Sequence, residues 1–136
     1  MNNTDVNMVQ TEWWCLELPP EWQASCEDDC VTIEDQDGVG AIDISAMCKE
    51  GSDVELADLG EFCADLLEAG HKPAVLTVGN GNGWYFAYVD GEDWWREWYL
   101  IVGPVVVYIT YNTALENRDM DTAAVDEILS TLVIAP

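Results

Sequence analysis

Residues 94–111 read WWREWYLIVGPVVVYITY, two runs of aromatic and β-branched residues on either side of Gly103-Pro104. Such residues favour strands, and proline interrupts a strand because it cannot donate a ladder hydrogen bond. The pattern therefore predicts two neighbouring strands of a meander, Trp94–Val102 and Val105–Tyr111, joined by a short turn.

Both faces of the first of these strands are rich in apolar residues. Alternation along the strand places Trp94, Arg96, Trp98, Leu100 and Val102 on one face, and Trp95, Glu97, Tyr99 and Ile101 on the other. The same pattern continues in the strand after Gly103-Pro104. Other elements must therefore pack on both faces of the predicted sheet. Where they cover a face only in part, aromatic residues remain exposed to solvent.

Five more strands are predicted around this pair. They cover Trp13–Leu18, Cys30–Glu34, Val39–Ser45, Ala74–Val78 and Trp84–Val89. Asp37-Gly38 is a hairpin signal, because this pair suits the positive φ angles of a type I′ turn. Gly79–Gly83 is predicted to be a flexible connection between strands. Residues 1–11 are expected to form a flexible polar leader, and residues 12–136 a single domain.

Two helices complete the prediction. Ser52 and Glu55 form a capping-box pattern before an apolar stripe with helical spacing, and Gly70 ends that segment. Asp121 is the expected N-cap of a second helix over Thr122–Leu132. The order βββαββββα predicts an α+β fold in which helices cover one face of an antiparallel sheet of about six to seven strands.

This arrangement resembles the PsbP-like α/β/α sandwich over residues 12–134. The resemblance rests on the strand leading into Leu18-Pro19-Pro20-Glu21-Trp22, the Asp37-Gly38 hairpin, the Trp-rich meander and the closing Ile128-Leu129-Ser130-Thr131-Leu132. The group includes the photosystem II extrinsic protein, the Ran-binding Mog nuclear import factor, DcrB-like bacterial proteins and the Eag chaperones of type VI secretion. The resemblance implies a non-enzymatic scaffold that binds other proteins, and it assigns no functional residue.

The charge of the chain limits its partners. In 136 residues, 27 acidic and 4 basic side chains give a formal net charge of -23, although 49% of the residues are hydrophobic. That hydrophobic fraction predicts a folded protein with an anionic surface. Four dispersed cations cannot form a basic groove, which argues against nucleic acid and anionic membranes as partners. The first ten residues lack the pattern of a secretory signal, so we expect a cytoplasmic protein.

The sequence contains no group of residues that indicates catalysis or metal binding. His71 follows Gly70, where the helix dipole explains it as a C-terminal cap. Gly79–Gly83 lacks the lysine of a phosphate-binding loop, and Cys26 and Cys30 lack a second ligand pair at zinc spacing. We therefore expect no enzymatic activity, no cofactor and no metal ion.

The aromatic strands supply the candidate partner-binding residues. These are Trp84, Trp94, Trp95, Arg96, Trp98 and Tyr99. They form an interface if one sheet face is open, and they form core if both faces are covered; the sequence leaves both interpretations open.

The leading functional hypothesis is a cytoplasmic, non-enzymatic protein-binding module, such as an immunity protein or a secretion adaptor. Its partner would be a basic or amphipathic protein, because the negative potential of the chain favours such encounters. A homodimer is also left open. The alternatives are small-molecule binding in a cleft between sheet and helix, and acidity that reflects adaptation to a halophilic or marine environment.

Overall fold

Two antiparallel sheets form the protein in a computed structural model that describes residues 7–28, 30–36 and 38–135. The larger sheet has seven strands, in the spatial order Trp22–Glu27 (β3), Cys30–Asp35 (β4), Gly40–Cys48 (β5), Val105–Ala114 (β9), Asp93–Val102 (β8), Gly81–Asp90 (β7) and Ala74–Val78 (β6). The smaller sheet contains Asn7–Gln10 (β1), Trp14–Leu18 (β2) and Val133–Ile134 (β10). The α+β class and the antiparallel sheet are therefore confirmed.

The helices are short, and they lie between strands of the larger sheet or near the C-terminus. They are Leu59–Phe62 (α1), Ala64–Glu68 (α2) and Thr122–Ser130 (α3). The single helix predicted between Ser52 and Gly70 is instead a 3₁₀ turn followed by α1 and α2, because Cys63 leaves the helical region at φ -116° and ψ 28°. The capping box is also displaced, since Asp58 accepts a hydrogen bond from the backbone of Glu55 at 2.9 Å.

The two faces of the larger sheet are covered by different elements. The smaller sheet and α3 pack on one face, where Leu16, Trp98 and Ile128 belong to the main core. On the other face, α1 packs through Leu59, α2 packs through Leu66, and Cys63 between the two helices is also buried. The prediction that all helices cover one face is wrong, because the apolar residues on both faces of β8 each require a covering layer.

Strand alternation in the centre of the sheet agrees with the sequence analysis. Trp98 and Leu100 face the main core, whereas Tyr99 and Ile101 face α1 and α2. The turn at Gly103-Pro104 is also as predicted, since Val102 and Val105 are paired on either side of it.

Three strands were not predicted, and one predicted connection is shorter than expected. Strand β1 lies within the predicted leader and pairs with β2, while β3 and β10 fall in segments without a strand pattern. Gly81–Gly83 belongs to β7 rather than to a loop. Asp37 lies outside the described residues, as do residues 1–6 of the leader, but Gly38 has the positive φ of 65° that its turn requires.

Within the described chain, none of the helices has the length and apolar character needed to cross a membrane.

Candidate functional site

The six predicted binding residues do not form one exposed patch, because the sheet divides them. Trp94, Arg96 and Trp98 face α3, whereas Trp84, Trp95 and Tyr99 face the side of α1 and α2. Arg96, Trp98 and Tyr99 are buried, and the other three are half-buried. Packing therefore accounts for most of the aromatic pattern.

Arg96 connects the larger sheet to α3. Its side chain is only 8% exposed, its Nε donates to the Tyr85 hydroxyl at 2.8 Å, and its Nη2 donates to Asp126 of α3 at 2.6 Å. The guanidinium also lies 4.6 Å from the ring centroid of Trp98, a favourable cation–π distance. A cleft of about 340 Å³ lies beside this group, between β6 and α3.

Glu97 points to the opposite face and is the centre of a hydrogen-bonded cluster. It is 6% exposed and accepts hydrogen bonds from three phenols: from Tyr99 at 2.7 Å, from Tyr108 at 3.0 Å and from Tyr88. We call Glu97, Tyr88, Tyr99 and Tyr108 the tyrosine–carboxylate cluster. Three donors on one buried carboxylate provide the hydrogen bonds that a buried charge requires.

Strand register explains why these side chains meet. Glu97 of β8 lies opposite Phe86 of β7 and opposite Thr110 of β9. Tyr88 and Tyr108 are each two positions from those direct partners, so they are diagonal neighbours of Glu97, a separation that an aromatic side chain spans. Tyr99 is two positions along β8 and therefore lies on the same face.

Burial raises the pKa of all three phenols, and the adjacent Glu97 raises each of these pKa values further. For Tyr108 the pKa rises to about 12. The phenols are therefore protonated donors at neutral pH. The ion pairs found among the described residues are Lys49 with Asp58 and Arg96 with Asp126, and neither involves Glu97. In the described part of the chain, the Glu97 carboxylate is thus held by phenolic hydrogen bonds and not by an ion pair.

A groove of about 330 Å³ opens beside the cluster, between α1 and strands β5 and β9. It is lined by Ser45, Ala46, Met47, Phe62, Tyr99, Val106 and Tyr108. Met47, Phe62 and Tyr108 are partly exposed large side chains. The groove therefore combines an exposed apolar rim with tyrosines whose hydroxyls bind the buried Glu97.

Alkaline pH is expected to destabilise the protein through these phenols. Their pKa values in the folded protein lie above the ordinary tyrosine value of about 10, so between about pH 10 and 12 the unfolded chain releases protons that the folded protein retains. Folding stability is then complete below pH 10 and falls as the pH rises beyond it. Urea unfolding at a series of pH values, combined with ultraviolet absorbance of phenolate, measures this. A free energy of unfolding that stays constant from pH 9 to about 11.5 would contradict the expectation.

Comparison with known proteins identifies the fold. No family model and no curated protein sequence matches this chain. Cyanobacterial PsbP (CyanoP) from Synechocystis superposes with a TM-score of 0.64 at 12% identity, over 98% of this chain and 94% of that one. The fold is PsbP-like. This confirms the resemblance drawn from the order of elements.

Two further solved structures share the PsbP-like fold. LpqN, a protein involved in cell envelope biogenesis of Mycobacterium tuberculosis, gives a TM-score of 0.63 at 14% identity, over 96% of this chain and 91% of LpqN. A protein of Bacteroides thetaiotaomicron gives 0.67 at 14% identity over 91% of this chain, which matches only 46% of that longer protein. At these identities the likeness concerns the fold alone.

Sequence reasoning missed the members of the cluster other than Tyr99. The available signal was Glu97, an acidic residue within an apolar strand, on the same predicted face as Tyr99. The sequence does not give the register between β7, β8 and β9, so the contribution of Tyr88 and Tyr108 could not be derived.

Cys26 and Cys30 face opposite sides of the β3–β4 hairpin. Throughout the described residues, no three His, Cys, Asp or Glu side chains are grouped as a metal site requires.

Proposed function

We propose that this chain is a non-enzymatic protein-binding module that recognises a basic, amphipathic segment of another protein. The binding surface is the groove together with the open part of the same sheet face, on β3, β4 and β5. The observation that carries the proposal is the partly exposed apolar rim of the groove, formed by Met47, Phe62 and Tyr108 on a strongly acidic protein. Apolar and aromatic residues beside charged ones are typical of protein interfaces.

Charge supports a basic partner. Strand register places Glu27, Glu34 and Asp43 on the same face as the groove, and the residues of β3, β4, β5 and β9 on this face include no Lys or Arg. Asp43 also raises the pKa of Tyr108, after the larger effects of burial and Glu97, which places its charge near the groove rim. A basic segment would be attracted to this face, and its apolar residues would contact the rim.

The chain would act in the cytoplasm as an immunity protein or a secretion adaptor. Both roles require a compact scaffold that binds another protein without catalysing a reaction. A nuclease toxin suits the first role, because the surface with which it binds DNA is basic. An amphipathic segment of a secreted protein suits the second, because its apolar residues need shielding before export.

The proposal is tested with a synthetic peptide of alternating leucine and lysine. We expect calorimetry to show binding that weakens as salt increases, and no binding of a peptide with glutamate in place of lysine. Met47→Ser should weaken binding about tenfold, because Met47 forms the groove rim. Met120→Ser is the matched control, since Met120 is also an exposed methionine but does not line the groove.

The two methionine variants also separate this proposal from general acidity. If the charge serves only adaptation to a saline environment, the peptide binds wherever the surface is negative and both variants bind like the parent. Equal affinities of Met47→Ser and Met120→Ser would therefore reject the proposal, as would binding that does not respond to salt.

Small-molecule binding is the second candidate function, and the cleft beside Arg96 is its site. The observation that favours it is the buried Nη1 of Arg96, which has no hydrogen-bond partner among the described residues. It ranks second because Asp126 already balances the charge of the guanidinium, and aromatic rings surround that group.

A further inference from the structure

We infer that the groove receives the side-chain ammonium of one lysine from the partner, and that the charge of Glu97 attracts it. This inference rests on the proposed function and specifies which partner residue enters the groove. Tyr99 and Tyr108 form the aromatic wall, while Met47 and Phe62 contact the aliphatic part of the lysine.

The electrostatic argument begins with the unusual environment of Glu97. Its carboxylate is buried, accepts three phenolic hydrogen bonds and pairs with none of the basic side chains in the described ion pairs. Two of those phenols, Tyr99 and Tyr108, also line the groove. A cation in the groove is therefore separated from the carboxylate by one layer of side chains. Solvent at the exposed rim, formed by Met47, Phe62 and Tyr108, screens part of this attraction, so it should weaken as salt increases.

The aromatic wall adds a second attraction. The rings of Tyr99 and Tyr108 are 4.9 Å apart between centroids and are inclined at 34°, so they pack against each other as a tilted pair, and both residues line the groove. Aromatic rings attract cations, and this attraction also acts, more weakly, at solvent-exposed sites such as this groove. The four methylene groups of lysine suit the remaining apolar wall, because lysine buries its aliphatic chain while keeping its charge near polar groups.

The geometry favours ammonium over guanidinium. Arginine binds carboxylates best through two parallel hydrogen bonds, as a planar fork. Both oxygens of Glu97 already accept hydrogen bonds from tyrosines, and Glu97 is buried behind them, so the fork has no carboxylate to bind there. The ammonium group of lysine is a compact charge, so the negative potential attracts it without two parallel hydrogen bonds to a carboxylate.

The lysine nearest to the groove in sequence has another partner. Lys49 follows β5 and pairs with Asp58 at 3.7 Å. A lysine from a second protein is therefore the occupant that fits the charge of this groove.

The test is an NMR titration of the full chain with the blocked amino acid N-acetyl-lysine methylamide. We expect saturable shifts of the Tyr99 and Tyr108 ring signals. The norleucine analogue, which has a similar aliphatic chain without the charge, should produce no such shifts. The arginine analogue should bind about threefold more weakly than lysine, because its guanidinium finds no free carboxylate for two parallel hydrogen bonds. Shifts of equal size with norleucine, or tighter binding of arginine, would overturn the inference.

Two variants identify the source of the charge. Glu97→Gln should weaken lysine binding about fivefold, because it removes the negative charge and keeps an oxygen acceptor for the phenols. Glu127→Gln on α3 is the matched control, since it removes the same formal charge from an exposed site outside the groove and should leave lysine binding unchanged. Equal losses in the two variants would show that net charge, rather than Glu97, attracts the lysine. Should Glu97→Gln fail to fold, the contrast between lysine and norleucine on the parent protein still decides whether the groove receives an ammonium group.

The outcomes distinguish the inference from the proposed function. Binding of the leucine–lysine peptide with the Met47→Ser loss, but without lysine-specific shifts of Tyr99 and Tyr108, rejects the inference and leaves the proposed function supported. Lysine-specific shifts without any peptide binding reject the proposed function instead.

Discussion

Replacement of Gly83 by alanine is expected to lower the free energy of unfolding by more than about 4 kcal/mol, or to prevent folding. Gly83 lies in β7 opposite Leu100 of β8, and a Cβ atom added to it would overlap the backbone carbonyl of Tyr99. No change of side-chain rotamer relieves contact with a backbone atom, so the two strands would have to separate. Urea unfolding followed by tryptophan fluorescence gives the free energy.

Gly91→Ala is the control for the Gly83 variant. Gly91 has a φ of 65°, but a Cβ atom there has no neighbour within 4 Å. Alanine at this position therefore costs only the strain of a left-handed conformation, about 1 kcal/mol. If Gly83→Ala were no less stable than Gly91→Ala, β7 and β8 would not approach as closely as the structure shows, and the position assigned to Tyr99 would be wrong.

The sequence predicts the central strands well because the physical signals there are local. Alternation in residues 94–102 assigns each side chain to its face, and Gly103-Pro104 marks the turn between β8 and β9. Helix α3 begins after Asp121 as predicted, although Asp121 makes no side-chain capping hydrogen bond and instead accepts one from the Tyr111 hydroxyl at 3.3 Å. The two strands and their turn depend on strand period and proline chemistry, which act within a few residues.

Features without a local strand pattern were not predictable in the same way. Strand β3 has one buried residue, Trp22, and five exposed ones, so it lacks the alternation of a strand and forms through its pairing with β4. Strand β10 has two residues and pairs with β2 from the opposite end of the chain. Gly83 belongs to a glycine-rich segment that favours a loop, yet β7 requires glycine there because β8 approaches so closely.

Arg96 and Glu97 illustrate the same limit at the candidate site. They are neighbours in sequence with opposite charges, and they lie on opposite faces of β8. Each is buried, but the two have different kinds of hydrogen-bond partner. Arg96 pairs with an acidic residue of α3, whereas Glu97 accepts hydrogen bonds from tyrosines of three strands. Alternation predicts the separation of the two charges, but only the register of β7, β8 and β9 creates the tyrosine–carboxylate cluster.

Glu97→Leu is expected to destabilise the protein by about 3 kcal/mol, because it leaves phenolic donors without their acceptor. The loss should come mainly from Tyr99, which is 5% exposed, whereas Tyr108 is 36% exposed. Hydrogen bonds to a charged acceptor contribute more than neutral ones, but removal of the buried charge also removes its desolvation cost, so the net effect is smaller than the sum of three bonds.

A double-mutant cycle with Tyr99→Phe tests whether the hydrogen bonds are the cause. Tyr99→Phe removes the buried hydroxyl, so in its presence Glu97→Leu should cost at least about 1 kcal/mol less than in the parent protein. Urea unfolding of the parent, both single variants and the double variant gives this coupling energy. Strictly additive losses would show that the hydrogen bond from Tyr99 does not contribute to the stabilising effect of Glu97. The carboxylate would then lack its link to the groove through Tyr99, and the lysine preference inferred for the groove would lose that part of its electrostatic basis.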